Sequence, residues 1–360
     1  MSQNEFDRSY MEDYRQLLPD DQQQRLDATG VVYEVGPVPP DPEALADKSR
    51  RTVVRRETFH EGKRFPFPIP NGWFVMEESR NLARGEIRNL HAFGKDLVLY
   101  RSESGEARLV DAYCPHLGAH LGMGGKVDGD GIRCPFHGWR FDGESGRCTD
   151  VPYLEGGRPP AGGRVRGYPV IERNQMIWAW HHLEEGEPFY EVPHVPEFED
   201  PDWLPYEVKT FEIATCVQEM AENDVDFAHF KYVHGAATVD QGDVTIEGPY
   251  RRTANGDFVR ENHGLGLAVL HIGDAFRFVA SSVPLDEEHV RQVWWFTAPR
   301  ASGENAAKVI ADAFYAGVSQ DLAIWENKRY RPNPMLTEAE KPVVEYRKWA
   351  KQFYSEGAGR

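Results

Sequence analysis

YCPHLGAHLGMGGKVDGDGIRCPFHGWRFD, residues 113–142, decides how this chain is read. It reduces to Cys114-x-His116, seventeen residues, then Cys134-x-x-His137. Two short loops each deliver one thiolate and one imidazole. Soft thiolates suit an iron bridged by sulfide, and imidazoles suit a second iron. Two Cys with two His also make zinc sites. Three features favour iron–sulfur. Each pair runs Cys then His, unlike the Cys pair and His pair of a zinc finger. Pro115 and Pro135 stiffen the turn after each Cys, and Gly118, Gly122, Gly124, Gly125 and Gly138 let backbone N–H groups come close to bridging sulfides. His120 reads as a supporting or structural residue.

Around this stretch the chain alternates short strands with turns. GWFVMEE, DLVLYRS, ARLVDAY and MIWAWHH are strand-like, with SESGE a hairpin turn between the second and third. Residues 66–188 therefore predict an antiparallel β domain. Residues 1–65 read as an extension: a polar helix near Tyr10 to Leu26, the stiff PVPPDP spacer, then a basic run (Arg50, Arg51, Arg55, Arg56, Lys63, Arg64) read as a solvated connector. Residues 189–360 mix a helix over Cys216 to His234, stopped by Gly235, with strands such as FRFVASSV and VRQVWWFTA and helices near the end. The fold class is α+β.

Composition agrees. Of the 360 residues 40% are apolar and 12% aromatic, enough to bury a core. No apolar run of about 18 residues exists, so no membrane span is expected, and the polar N-terminus makes cytoplasm the default. The net charge of −17 repels nucleic acid. Four cysteines in such a chain point to metal rather than disulfides, with Cys148 and Cys216 left as small buried hydrophobes.

The second half holds Asp226-x2-His229-x4-His234. Two His and one carboxylate with open positions are the facial triad of non-haem Fe(II) oxygenases. On an ideal helix the two His lie about 140° apart, too far for one metal. The helix is therefore expected to loosen between them, by a π-bulge or by ending near Gly235.

Two His on one iron define a Rieske [2Fe–2S] centre, and residues 113–142 resemble the Rieske family throughout. Respiratory Rieske proteins add two disulfide cysteines, at positions that look like Ala119 and Phe136 here, and a membrane anchor; the resemblance is to the oxygenase or ferredoxin branch. Over roughly residues 66–335 the chain looks similar to the branch containing the 3-ketosteroid 9α-hydroxylase oxygenase component and cholesterol 7-desaturase. IPNGWF, DAYCPHLGAHLG, CPFHGWRFDG, MIWAWHH, VPLDEEHV and IWENK carry that likeness.

The resemblance implies a [2Fe–2S] cluster on Cys114, His116, Cys134 and His137, and a mononuclear Fe(II) on His229, His234 and a distant Asp. Asp321 in QDLAIWENK is the best match for that Asp, with Asp312 and Glu326 as rivals. Asp226 would bridge His137 of one subunit and His229 of the next, which implies a homotrimer. Asn223 would orient bound water or ligand, or cap a helix. With no G-x-G-x-x-G fold evident, electrons would come from a separate NAD(P)H-dependent reductase or ferredoxin. Arg133, Arg140 and Arg147 would meet that acidic partner, or pair with Asp128, Asp130, Asp142 and Glu144.

The implied reaction uses O2 and electrons on a polycyclic apolar substrate, a steroid, by monooxygenation; dihydroxylation of an aromatic ring is the alternative. Leu265, Leu267, Leu270, Phe276 and Phe278 would line the pocket, or be core. A reading in another class, an electron carrier with a cluster and no oxygenase chemistry, is opposed by Asp226, His229 and His234.

Overall fold

The computed structural model describes residues 63–235 and 242–355. The expected helix near Tyr10, the Pro-rich spacer and most of the basic run lie outside these residues.

The strands in chain order are β1 (Gly72–Glu78), β2 (Ile87–Ala92), β3 (Lys95–Arg101), β4 (Ala107–Asp111), β5 (Lys126–Asp128), β6 (Gly131–Arg133), β7 (Arg140–Phe141), β8 (Cys148–Asp150), β9 (Gly167–Tyr168), β10 (Val170–Arg173) and β11 (Met176–His181). They form three antiparallel sheets, ordered β1-β11-β10, β2-β3-β4-β9 and β5-β6-β7-β8. Ser102–Glu106 makes the expected turn between β3 and β4: Ser102 N–H donates to the Glu106 carbonyl, and Gly105 sits at φ +104°.

The following strands are β12 (Glu207–Ile213), β13 (Asp243–Glu247), β14 (Tyr250–Asn255), β15 (Phe258–His263), β16 (Leu267–Ile272), β17 (Arg277–Pro284) and β18 (Val290–Thr297). They build one seven-stranded antiparallel sheet, ordered β12-β18-β17-β16-β15-β14-β13. Helices α1 (Val217–Glu222), α2 (Phe227–Tyr232), α3 (Ala306–Ser319), α4 (Leu322–Trp325) and α5 (Lys341–Ala350) accompany it. Helix α3 lays Ala307 and Ala311 against the sheet, small residues that admit close approach of Phe278 and Phe296. Pro342 in the first turn of α5, where no N–H partner is needed, helps start that helix.

Two cores matter for function. The larger joins the first sheet to the seven-stranded one: Phe74 of β1, Trp178 and Trp180 of β11 and Trp295 of β18 are buried together, Trp178 and Trp295 with ring centroids 5.5 Å apart. Each such ring contributes about 1.5–3 kcal/mol or more by leaving water. The smaller core gathers Val98, Tyr100, Leu121, Ile132 and Phe141 around Cys114 and Cys134.

The predicted single helix over Cys216 to His234 is not continuous. After α1 a 3₁₀ turn, Asn223–Val225, leads to Asp226 at ψ 77°, and α2 begins anew. Asn and Asp form helices poorly because their side chains compete for backbone N–H groups. Asp226 does so here, accepting from His229 N–H at 3.4 Å as the cap of α2. Helix α2 then ends at Tyr232, ahead of Gly235 at φ +71°. The irregularity expected between Tyr232 and His234 is this termination.

Arg64, read from sequence as solvated, is 2% exposed. Its guanidinium donates to the carbonyls of Ala214, Trp325 and Glu326. It thereby ties the entry to α1 to the C-terminal end of α4, where a cation is favoured.

Candidate functional site

Two loops of the same geometry form the first centre. Gly118 N–H donates to the Cys114 carbonyl at 3.0 Å and Gly138 N–H to the Cys134 carbonyl at 3.1 Å. Cys114 N–H donates to Ala119 and Cys134 N–H to Trp139, at 2.9 and 2.8 Å. Each loop turns through a glycine at positive φ, +76° at Gly118 and +72° at Gly138, a conformation that disfavours a Cβ. The result aims both thiols inward and both imidazoles outward. Cys114 and Cys134 are buried, and the rings of His116 and His137 lie 4.7 Å apart. His116 stacks on Trp139 at 4.5 Å, a support that sequence reading missed, and Trp139 Nε1–H donates to the Tyr153 hydroxyl.

Burial, with the neighbouring Cys134 thiol, pushes Cys114 up to about 11. A bound metal reverses this, since it deprotonates its thiol ligands outright. Two converging buried thiols and two paired imidazoles suit an iron–sulfur cluster. Around them Tyr113, Leu117, Met123, Phe136 and Tyr153 form an exposed apolar rim. His120 plays a structural part, its Nδ1 accepting from Gly122 N–H.

Of the three arginines noted near this lobe, Arg133 pairs with Asp128 at 2.5 Å and with Asp150 at 2.8 Å, the latter not foreseen. Arg140 sits 3.5 Å from Asp128 and donates to Thr149. Asp130 instead accepts from Ser104, and Asp142 from Ser145.

The second centre lies beside the seven-stranded sheet. One ligand atom each from His229, His234 and Asp321 falls within 4.8 Å of the others. His234 Nε2 is 3.2 Å from the Asp321 carboxylate. His229 Nδ1 contacts the Asp226 carbonyl, a position that fixes the proton on Nδ1 and turns Nε2 inward. His234 Nδ1 does the same with Gln320 Oε1 at 3.0 Å. Burial disfavours the His234 imidazolium, but Asp321 and Gln320 outweigh it and raise its pKa. Such a constellation, two inward Nε2 atoms and one carboxylate, fits a divalent iron with open positions.

Asn223, whose side-chain amide lies 3.0 Å from His229 Nε2, is at the same place. Among the described residues its side chain caps no helix. Asp312 lies apart, paired with Lys209 and Lys308. Glu326 is at the far end of α4, where its carbonyl receives Arg64. Gln320 escaped sequence reading; its place immediately before Asp321 was the available clue.

A cavity of about 420 Å³ opens on this centre, with His229, His234 and Asp321 in its lining. Leu265, Leu267, Leu270 and Phe278 line it as expected. Phe276 does not: it packs in the core against Phe314, ring centroids 5.5 Å apart.

The fold and these two sites define a metalloprotein with one iron–sulfur and one mononuclear centre. Residues 72–169 match the Rieske [2Fe-2S] domain, and residues 179–354 match the 3-ketosteroid 9alpha-hydroxylase C-terminal domain. Cholesterol 7-desaturase of Caenorhabditis elegans is 31% identical, over 88% of this chain and 84% of that protein. A probable 3-ketosteroid-9-alpha-monooxygenase oxygenase component of Rhodococcus rhodochrous is 30% identical, over 80% and 81%. Among solved structures, Pseudomonas putida CBB5 NdmA shares the fold, with a TM-score of 0.65 at 20% identity over 78% of this chain and 88% of that one. The chain belongs to the Rieske oxygenases, in the group of the 3-ketosteroid 9α-hydroxylase and cholesterol 7-desaturase proteins. It is an oxidoreductase whose cofactors are a [2Fe–2S] cluster and a mononuclear iron. Among the described residues no helix is long and apolar enough to cross a membrane.

Proposed function

We propose that this chain is the terminal oxygenase of a multicomponent system that hydroxylates a polycyclic apolar substrate, a steroid. The observation that carries this is the largely apolar cavity leading to the His229–His234–Asp321 group. Its volume falls in the range of about 300–1,000 Å³ usual for small-molecule sites. Proteins of this group named for cholesterol and for 3-ketosteroids supply the substrate class.

In this reading Cys114, His116, Cys134 and His137 hold the cluster, and His229, His234 and Asp321 hold the iron. When bound, the two centres supply one-electron transfer and activation of O2. The chain's own residues do the rest. The Asp226 carbonyl and Gln320 fix the two imidazole tautomers. Asn223 stands where a polar ligand beside the metal would accept a hydrogen bond. Phe278, Trp294 and Phe314 keep that side of the cavity apolar and dry.

The Asp226 side chain is only partly buried, and it makes one weak contact with α2. That leaves it able to bridge His229 to His137 of a neighbouring copy, the electron route of a homotrimer. The apolar rim at the cluster suits such an interface. Electrons would enter from a separate reductase or ferredoxin.

The test is iron and acid-labile sulfide per chain on anaerobically purified protein, wild type against His229→Ala, followed by steroid turnover with a surrogate reductase. Three irons and two sulfides, falling to two irons with the cluster spectrum intact, are expected. Two irons in both proteins would reduce the chain to an electron carrier. Sedimentation analysis checks the trimer.

A further inference from the structure

The cavity is apolar on one side and polar on the other, and the division follows the strand register. Across one face of the sheet Thr253 and Arg260 pair, and the row continues through Leu270 and Phe278. The adjacent row runs from Arg251 and Asn262 to Ala268, Ala280 and Trp294. Strands β14 and β15 thus supply the polar side, β16 to β18 the apolar one.

The polar side is unbalanced in charge. Asp224 accepts from Arg251 at 3.1 Å and from Asn262 at 3.0 Å, and pairs with Arg260 Nε at 2.9 Å. Among the described residues it is the one carboxylate against these two guanidiniums. Arg251 is fully buried, under the rings of Tyr346 and Trp349. Arg260 lines the cavity with a quarter of its side chain exposed; its Nε, though close to Asp224, makes no well-aligned hydrogen bond, and among the described residues no second carboxylate meets its guanidinium. Thr253, 4% exposed, lines the same wall, and its buried hydroxyl has no hydrogen-bond partner among the described residues. A buried hydroxyl without a partner, and two guanidiniums that share one carboxylate beside an apolar cavity, are both unfavourable unless a ligand completes them.

We propose that the substrate is an apolar polycycle bearing a carboxylate, and that Arg260 and Thr253 receive that carboxylate. This rests on the polycyclic reading of the cavity given above. A ketone or alcohol oxygen would accept from Thr253 but leave the excess positive charge unmet. A carboxylate meets both, with the planar guanidinium geometry it prefers.

Binding to the intact, iron-loaded protein under anaerobic conditions tests this, read by calorimetry. The probes are 5β-cholanic acid and its methyl ester, with dehydroabietic acid and its methyl ester as a second, tricyclic pair. Each acid should bind about tenfold or more tighter than its ester. Arg260→Gln should remove that advantage while leaving the esters within about twofold, the cluster spectrum and the iron content intact. Thr253→Val should weaken the acids by several-fold and serves if Arg260→Gln fails to fold. Equal binding of acids and esters, or an equal loss of both in Arg260→Gln, would overturn the carboxylate anchor while leaving the steroid reading in place. Binding of the tricyclic acid alone would support the anchor and sink the steroid reading. No binding by any of the four would overturn both.

Discussion

Gln320 offers the sharpest test of how the mononuclear site is held. Its Oε1 lies 3.0 Å from His234 Nδ1, so the ring's proton is kept on that nitrogen and Nε2 stays free to ligate. Gln320→Leu keeps a similar volume but removes the acceptor. A neutral, partly buried hydrogen bond is worth about 0.5–1.5 kcal/mol net, and the ring also loses its preference for the ligating tautomer. A total of about 1–2 kcal/mol corresponds to about 5- to 30-fold weaker iron binding, overlapping the roughly 10- to 100-fold usual for partners of metal-ligating His. Anaerobic competition against a coloured Fe(II) chelator measures it, with the visible spectrum of the cluster as internal control. Gln320→Glu restores an acceptor and should hold iron at least as well as wild type. An unchanged competition midpoint in Gln320→Leu would refute the reasoning, because the ring would then be oriented by something else.

Three further outcomes are expected. Arg64→Met removes charged hydrogen bonds to three backbone carbonyls, one buried and two half-buried; it should lower unfolding stability by about 2–4 kcal/mol, seen as a lower melting temperature, with iron lost before cluster on heating. His181 is buried and neutral, its pKa pushed down to about 3 mainly by burial, and His263 behaves likewise at about 4. Their folded pKa values lie below the unfolded value near 6.5, so their contribution is whole above about pH 6.5 and fades as pH falls towards 3. Between pH 6.5 and 5 each costs about 2 kcal/mol, and His181→Gln should flatten the drop in melting temperature; an unaltered slope would count against it. Gly138→Ala forces a Cβ into φ +72° and to 2.9 Å from Pro152; about 1–2 kcal/mol of strain in the cluster loop should reduce sulfide per chain while the far-ultraviolet spectrum stays unchanged.

Much of the architecture was legible in the sequence because its signals are local. Cys114-x-His116 and Cys134-x-x-His137 are each one turn long, and a turn with a Pro and a left-handed Gly has few alternatives. The strands MIWAWHH and VRQVWWFTA announced themselves by β-branched and aromatic content. The helix break at Asp226 was missed because periodicity over Cys216 to His234 hides a capping side chain that interrupts it. Arg64 was misread since charge alone suggests solvent, and its carbonyl partners come from residues 150 and more positions away. The polar wall of Thr253, Arg260 and Asn262 was invisible for the same reason. It exists only through the pairing of β14 with β15 and the return of Asp224 beneath them.

The small core around Cys114 and Cys134 has a consequence for engineering. Residues 97–167 supply it almost alone, from Val98 to Val165. Leu97 and Gly167 flank β4 on opposite sides, paired with Asp111 and Val110, so the two ends of this segment stand two strand spacings, about 10 Å, apart. A cut near residue 180 would instead split the Trp178–Trp295 contact that joins the sheets. The exchangeable redox cassette is therefore the tip with its closely spaced ends. Transplanting this segment between relatives, with Leu97, Leu99, Ala107 and Leu109 retained because they sit in the larger core, would retune the electron donor side of such an enzyme while leaving the contacts beside the substrate chamber in place.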